Sequence, residues 1–204
     1  MLKQFYREVK FAFLENKLAI YLSLIILILS LISGYIFESY FSSYLQPAVD
    51  DLTQKVETGV VQLTFKDIFI NNIAIIFQMF IYGILFCLSV FLLAYNGFFV
   101  GYYVAIQDDF FRVVLMLLPH GIFELTSCFL AVSSGLVLFN FLFNLFKSYL
   151  IADLSLTDSF HDNFIKLKQA VLIFFISVIL MIIAGFVEVY LTVPIARFVL
   201  GFFS

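Results

Sequence analysis

Apolar residues dominate this chain so fully that its polar positions carry the information. Four long apolar stretches, 18–37, 68–106, 113–146 and 170–191, alternate with polar intervals. A helix of about 20 apolar residues matches the ~30 Å hydrocarbon core of a bilayer, so each stretch predicts at least one span. The stretch 68–106 is too long for a single perpendicular crossing.

The intervals predict the rest of the organisation. Residues 1–17 hold Lys3, Arg7, Lys10 and Lys17, with Phe5, Val9, Ala12 and Phe13 at helical spacing, which predicts a cytoplasmic interfacial helix. Residues 18–37 then read as a retained signal-anchor, since the run lacks an Ala-x-Ala site. The interval 38–66 repeats Leu45, Val49, Leu52 and Val56 at spacings of three and four, predicting an external amphipathic segment. Thr64 to Asp67 reads as a helix start. Residues 147–168, with Lys147, Lys166 and Lys168 among Asp153, Asp158, His161 and Asp162, predict a cytoplasmic amphipathic loop capped near Ser155 or Thr157. The final span is 170–191.

Sidedness constrains the span count. With the N-terminus and 147–168 both inside, the crossings between them must be even in number. Segments 18–37, 73–95 and 120–146 supply three, so 97–118 must also cross, giving five spans with the C-terminus outside. That course brings Asp108, Asp109 and Arg112 near mid-membrane, where each charge costs roughly 2.5–3.5 kcal/mol. Asp108 and Arg112 stand one helical turn apart and form a candidate ion pair. A re-entrant hairpin of 97–106 and 111–119 avoids that cost. The expected fold class is therefore all-α: one membrane domain, 1–204, forming a polytopic transmembrane helical bundle. It has about five spans, with spans 2–4 in 68–146 and a broken or re-entrant region near 96–119, plus interfacial amphipathic helices.

Composition supports this solvent assignment. The chain is 64% hydrophobic and 12% charged, against about half and a quarter for soluble domains. A net charge of −3 without any basic run excludes nucleic acid as a partner. Cys87 and Cys128 lie in apolar segments without metal or disulfide spacing.

Against that background the run Leu118-Pro119-His120-Gly121-Ile122-Phe123-Glu124 stands out. An ionisable pair inside a span is by default a functional-site hypothesis. Pro119 suits the first turn of a helix, and His120 and Glu124 share a face. In the five-span arrangement Asn71, Asn72 and Glu188 fall at similar depth. The expectation is one buried polar cluster of Asn71, Asn72, Pro119, His120, Gly121, Glu124 and Glu188. Asn96, Gly97, Gly101 and Gly135 mark helix packing or breaks; Gly97 and Gly101 form a GxxxG pair. The cluster has three readings: a packing network, a site for a substrate, lipid or ion, or a metal or catalytic site. His-x-x-x-Glu offers only two ligands, with no HExxH or GxSxG pattern, so no catalytic residue, metal or cofactor is expected.

The order Ile68-Phe69-x-Asn71-Asn72, Asn96-Gly97-x-x-x-Gly101, Leu118-Pro119-His120-Gly121-x-x-Glu124, then Ala184-Gly185-x-x-Glu188 before Thr192-x-Pro194, resembles the stage II sporulation protein M family of integral membrane proteins. The likeness runs from about residue 15 to 195. That family's namesake is a membrane partner of peptidoglycan-remodelling proteins at the sporulation septum. The resemblance implies a multi-pass cell-membrane protein, and the basic residues before the first span place its N-terminus in the cytoplasm. It implies a non-enzymatic scaffold in envelope remodelling, meeting the lipid membrane, other membrane or envelope proteins and further copies of itself. The alternative is a small transporter or a lipid- or ion-handling protein using the cluster around His120 and Glu124. Single cysteines at 71, 120 and 188 are expected to react with an impermeant maleimide from the outer side alone; labelling of any of them from the inner side would separate the cluster.

Overall fold

The computed structural model describes residues 2–58, 64–151 and 155–201. The helices are α1 (Leu2–Glu15), α2 (Lys17–Ile36), α3 (Glu38–Glu57), α4 (Phe65–Ile81), α5 (Cys87–Ala105), α6 (Phe110–Ile151), α7 (Leu156–Tyr190) and α8 (Thr192–Leu200), with a 3-10 turn, Tyr82–Leu85, extending α4. Five helices are long and apolar enough to cross a bilayer: α2, α4 with its 3-10 turn, α5, α6 and α7. The protein is an all-α, multi-pass membrane protein, as the apolar pattern predicts.

Side-chain ladders fix the helix directions. Between α6 and α7, His120 meets Thr192, Ser127 meets Ser177 and Phe141 meets Phe160, so the two run antiparallel. Phe65 faces Gly185 while Phe80 stacks on Phe174, so α4 opposes α7. Ala19 faces Ser133 and Tyr35 packs on Phe110, so α2 opposes α6. Gly97 sits beside Leu27 and Ser30 and Gly101 beside Leu31 and Tyr35, making α2 and α5 parallel. The five long helices therefore alternate in direction, with α1 at one end of the bundle and α8 at the other.

The observed division of the chain differs from the expected one in four places. First, the break in 68–106 falls at residues 82–86, leaving Asn96, Gly97 and Gly101 inside an unbroken α5. No proline or polar run marks this corner; tertiary contacts hold it. The Ser89 hydroxyl donates to the Met79 carbonyl across it (2.6 Å), and Phe86 packs on Phe139. Phe86 adopts φ 29°, a conformation costing about 1–3 kcal/mol, so these contacts offset local strain. Second, the span expected over 97–118 is α5, and the charged run is the connection to α6. Asp108 and Arg112 are exposed and make no ion pair with each other. Instead Asp109 caps α6, accepting from the Arg112 amide (3.0 Å). No charge of this run lies at mid-span. Third, Pro119 lies well inside α6 rather than in a first turn, because capping at Asp109 starts the helix earlier. Its ring nitrogen cannot donate to the Leu115 carbonyl. Fourth, residues 147–151 and 155–168 are not a surface-lying loop but the continuing ends of α6 and α7. Phe141 against Phe160 and the neighbouring Ser148 and Asn163 zip them into a helical hairpin. At 1.5 Å per residue α6 spans about 63 Å, twice the hydrocarbon thickness.

Two expected helix starts hold. Thr64 accepts from the Asp67 amide (3.3 Å) to start α4, and Ser155 accepts from the Asp158 amide (3.2 Å) to start α7. In α3, Val49 is buried and Leu45 half-buried; residues 59–63 of the expected external segment lie outside the described residues. α3 crosses α5 through Phe41 on Phe98 and a bond from the Tyr102 hydroxyl to Gln46 (3.0 Å). At the opposite end α1 docks on α7. Lys168 pairs with Glu8 (3.0 Å), Lys166 with Glu15 (3.7 Å), and the buried Asn16 amide donates to Gln169 (2.9 Å).

Small residues bring the spans together. Helices in lipid gain little from hiding apolar surface, so close backbone approach and interhelical hydrogen bonds must hold them. Gly34 abuts the Phe98 backbone, Gly101 abuts that of Leu31, and Gly83 abuts Gly135. Ser127 and Ser177, both fully buried, each donate to the other's carbonyl at 2.8 Å. A Cβ on Gly83 would collide with the Gly135 backbone. Gly83→Ala should cost about 1–3 kcal/mol, read as a lowered thermal midpoint in detergent; an unchanged midpoint would mean that the turn is not pinned on α6.

Candidate functional site

The polar residues of the opening sequence motif lie near the α8 end, where α6, α7 and α8 converge. His120 is buried (9% exposed), carried on α6 one residue past the proline. Its Nδ1 lies 3.2 Å from the Thr192 hydroxyl at the start of α8. Thr192 in turn donates to the Val187 carbonyl (3.1 Å). A hydroxyl has one proton, and with that proton given to Val187 the imidazole Nδ1 is the donor. Its Nε2 is then an acceptor.

Glu124 stands one turn further along α6 and is half-buried. Glu188, also half-buried, projects from α7 within electrostatic reach of Glu124. Among the described residues neither carboxylate has a hydrogen-bond or ion-pair partner, and no three His, Cys, Asp or Glu side chains gather as metal ligands would. The site thus holds two carboxylates and an imidazole without a cation beside them.

A cleft of about 240 Å³ opens against His120 and Glu124, and Glu188 is not among the residues lining it. One wall is α5, with Val100 and Val104; the other is the first part of α6, with Val114, Leu117, Leu118, Gly121 and Leu125. His120 and Glu124 supply its polar surface. Gly121 is central to this opening, since a Cβ built there meets nothing within 4 Å. Such a pocket, apolar with a few converging polar groups, is the usual form of a small-molecule site.

Asn71 and Asn72 sit on α4, Asn71 exposed and Asn72 half-buried, and bond to each other (3.4 Å). The structure gives no hydrogen bond between them and His120, Glu124 or Glu188. It brings His120, Gly121 and Glu124 to one cleft, with Glu188 on α7 within electrostatic reach of Glu124 and neither Glu188 nor Pro119 among the lining residues. Asn96 is half-buried in α5, and Gly97, Gly101 and Gly135 serve helix contacts inside the bundle.

A family model, "Stage II sporulation protein M", matches residues 23–193. The chain belongs to the stage II sporulation protein M family. That match takes in every residue of the cleft and its polar corner. Two uncharacterised proteins of Methanocaldococcus jannaschii are similar over nearly their whole lengths. One is 31% identical over 191 residues, covering 90% of this chain and 99% of the relative. The other is 29% identical over 198 residues, covering 90% of this chain and 86% of the relative. No solved structure matches this family member.

Sequence reasoning missed Thr192 as the partner of His120, although Thr192-x-Pro194 follows Glu188 closely. It also missed Val100 and Val104, which look like any other span residues; no local signal distinguishes them. Because Gly121 faces open space in a helix interior, Gly121→Ala should stabilise the protein by about 0.5–1 kcal/mol. A small rise in thermal midpoint checks this, and a fall would show that the space beside Gly121 is filled.

Proposed function

We propose that this protein is a non-enzymatic membrane component that takes up a small molecule from the bilayer through the cleft between α5 and α6. The observation that supports this is the cleft itself. A packing network would be closed and internally bonded, whereas Glu124 has no bonding partner and borders empty volume. An apolar opening toward the bilayer admits a ligand laterally, and the polar corner fixes the depth and orientation of its head. The His-Glu pair orients and binds in this reading and transfers no group. The α1 end is cytoplasmic in the proposal, since Lys3, Arg7, Lys10, Lys17, Lys147, Lys166 and Lys168 gather there, while Lys55, Lys66, Arg112 and Arg197 share the other end. The cleft then opens in the outer half of the membrane.

A second reading, a scaffold for envelope or other membrane partners, is favoured by the α6–α7 hairpin. Phe143, Phe146, Leu150 and Ile151 are all more than half exposed beyond the level of the Lys168–Glu8 pair. The small-residue faces are occupied within the chain, so self-association would use this hairpin or the lipid-facing flanks.

Mass spectrometry of protein extracted in native nanodiscs tests the uptake reading. Wild type should retain a small molecule enriched over the surrounding lipid, and Gly121→Leu, which fills the cleft without a backbone clash, should lose it. Identical retained molecules in the two proteins would overturn the reading.

A further inference from the structure

Building on uptake through the cleft, we infer that its ligand is an amphiphile whose head is an ammonium group, held by Glu124 and His120 with its aliphatic chain along Val100, Val104 and Val114. Charge complementarity carries the assignment. The corner holds the Glu124 carboxylate, which has no hydrogen-bond or ion-pair partner among the described residues, beside His120, and no Lys or Arg lies in the adjoining parts of α5, α6 and α7. Nearby cations are at the ends: Arg112 is exposed two turns before His120, and Arg197 is exposed on α8. An anionic head would meet like charge in a low-dielectric setting, where mutual repulsion is strong. A neutral head supplies no counter-charge to an ionised Glu124, whereas an ammonium head does.

His120 fits the same ligand. With Nδ1 donating to Thr192, its Nε2 offers a lone pair, and an ammonium has N–H donors for both that lone pair and a carboxylate. The walls contribute no further polar side chain, so recognition divides into an apolar trough and one cation-seeking corner. The cleft is small, about 240 Å³, which suits one chain rather than two. Because the cleft is open, the end of a longer chain continues into lipid. The ammonium head can come from a single-chain amine or from an aminophospholipid whose second chain stays outside.

The test uses the full-length protein in nanodiscs of neutral galactolipid, with empty nanodiscs subtracted. The probes are radiolabelled dodecylamine, dodecanol and dodecyl sulfate. Wild type should bind dodecylamine saturably and roughly tenfold more tightly than dodecanol, equivalent to about 1.4 kcal/mol, with dodecyl sulfate weakest. Glu124→Gln should abolish the preference while leaving chain binding, and Gly121→Leu should abolish saturable binding of all three. Equal affinities for the three probes in wild type would overturn the ammonium assignment and leave the cleft reading standing. Saturable binding unchanged by Gly121→Leu would overturn the cleft reading instead. Retained helicity and thermal midpoint qualify each variant as folded, and Glu124→Ala replaces Glu124→Gln if that fails to fold. Added phosphatidylethanolamine should compete with dodecylamine if the head comes from a lipid; its failure to compete, with dodecylamine still preferred, supports the single-chain source.

Discussion

Everything in this bundle depends on backbones that can touch. Between helices in hydrocarbon, apolar side chains gain little by leaving lipid for protein. Cohesion must come from dispersion at short range and from hydrogen bonds that lipid cannot replace. Gly34, Gly83, Gly97, Gly101 and Gly135 provide the short range, and Ser89, Ser127 and Ser177 provide bonds to main-chain carbonyls. The glycine contact between the 3-10 turn and α6 also sets where α4 must end. It thereby forces the corner at Phe86, which frees α5 to cross alongside α2.

The same economy explains why the polar corner can exist. Once α6 and α7 are clamped at Ser127 and Ser177, the helix surfaces nearer the α8 end are not drawn into full contact. α8 fills part of the gap through Thr192 and His120. The remainder stays open toward α5, because Gly121 presents no side chain to close it. Packing and site are thus two outcomes of one distribution of small residues along α6.

The class of fold was legible in the sequence because hydrophobic runs report directly on bilayer thickness. Helix starts at Thr64 and near Ser155 were legible because capping is local chemistry. The corner at Phe86 was not, since its residues are apolar and its cause is a glycine on another helix. The charged run 108–112 misled for a related reason. The parity of crossings suggested a span through it, whereas the capping carboxylate at Asp109 begins a new helix there. In the candidate site, His120 and Glu124 announced themselves as ionisable residues in an apolar run. Glu188 could be placed beside them by helix direction alone. The asparagines could not, because equal depth does not fix which side of a helix faces the site, and Asn71 points outward.

Pro119 makes α6 a beam of uneven stiffness. Toward the hairpin, the helix is clamped by serine bonds and glycine contacts. Toward the connection to α5, the Leu115 carbonyl lacks its amide partner, so the first turns bend more easily than the rest. That short compliant arm is the segment carrying Val114, Leu117 and Leu118, the part of the cleft's α6 wall that precedes Pro119. The width of the opening is therefore set by the softest part of the longest helix, and it can change without disturbing the clamp that holds the molecule together.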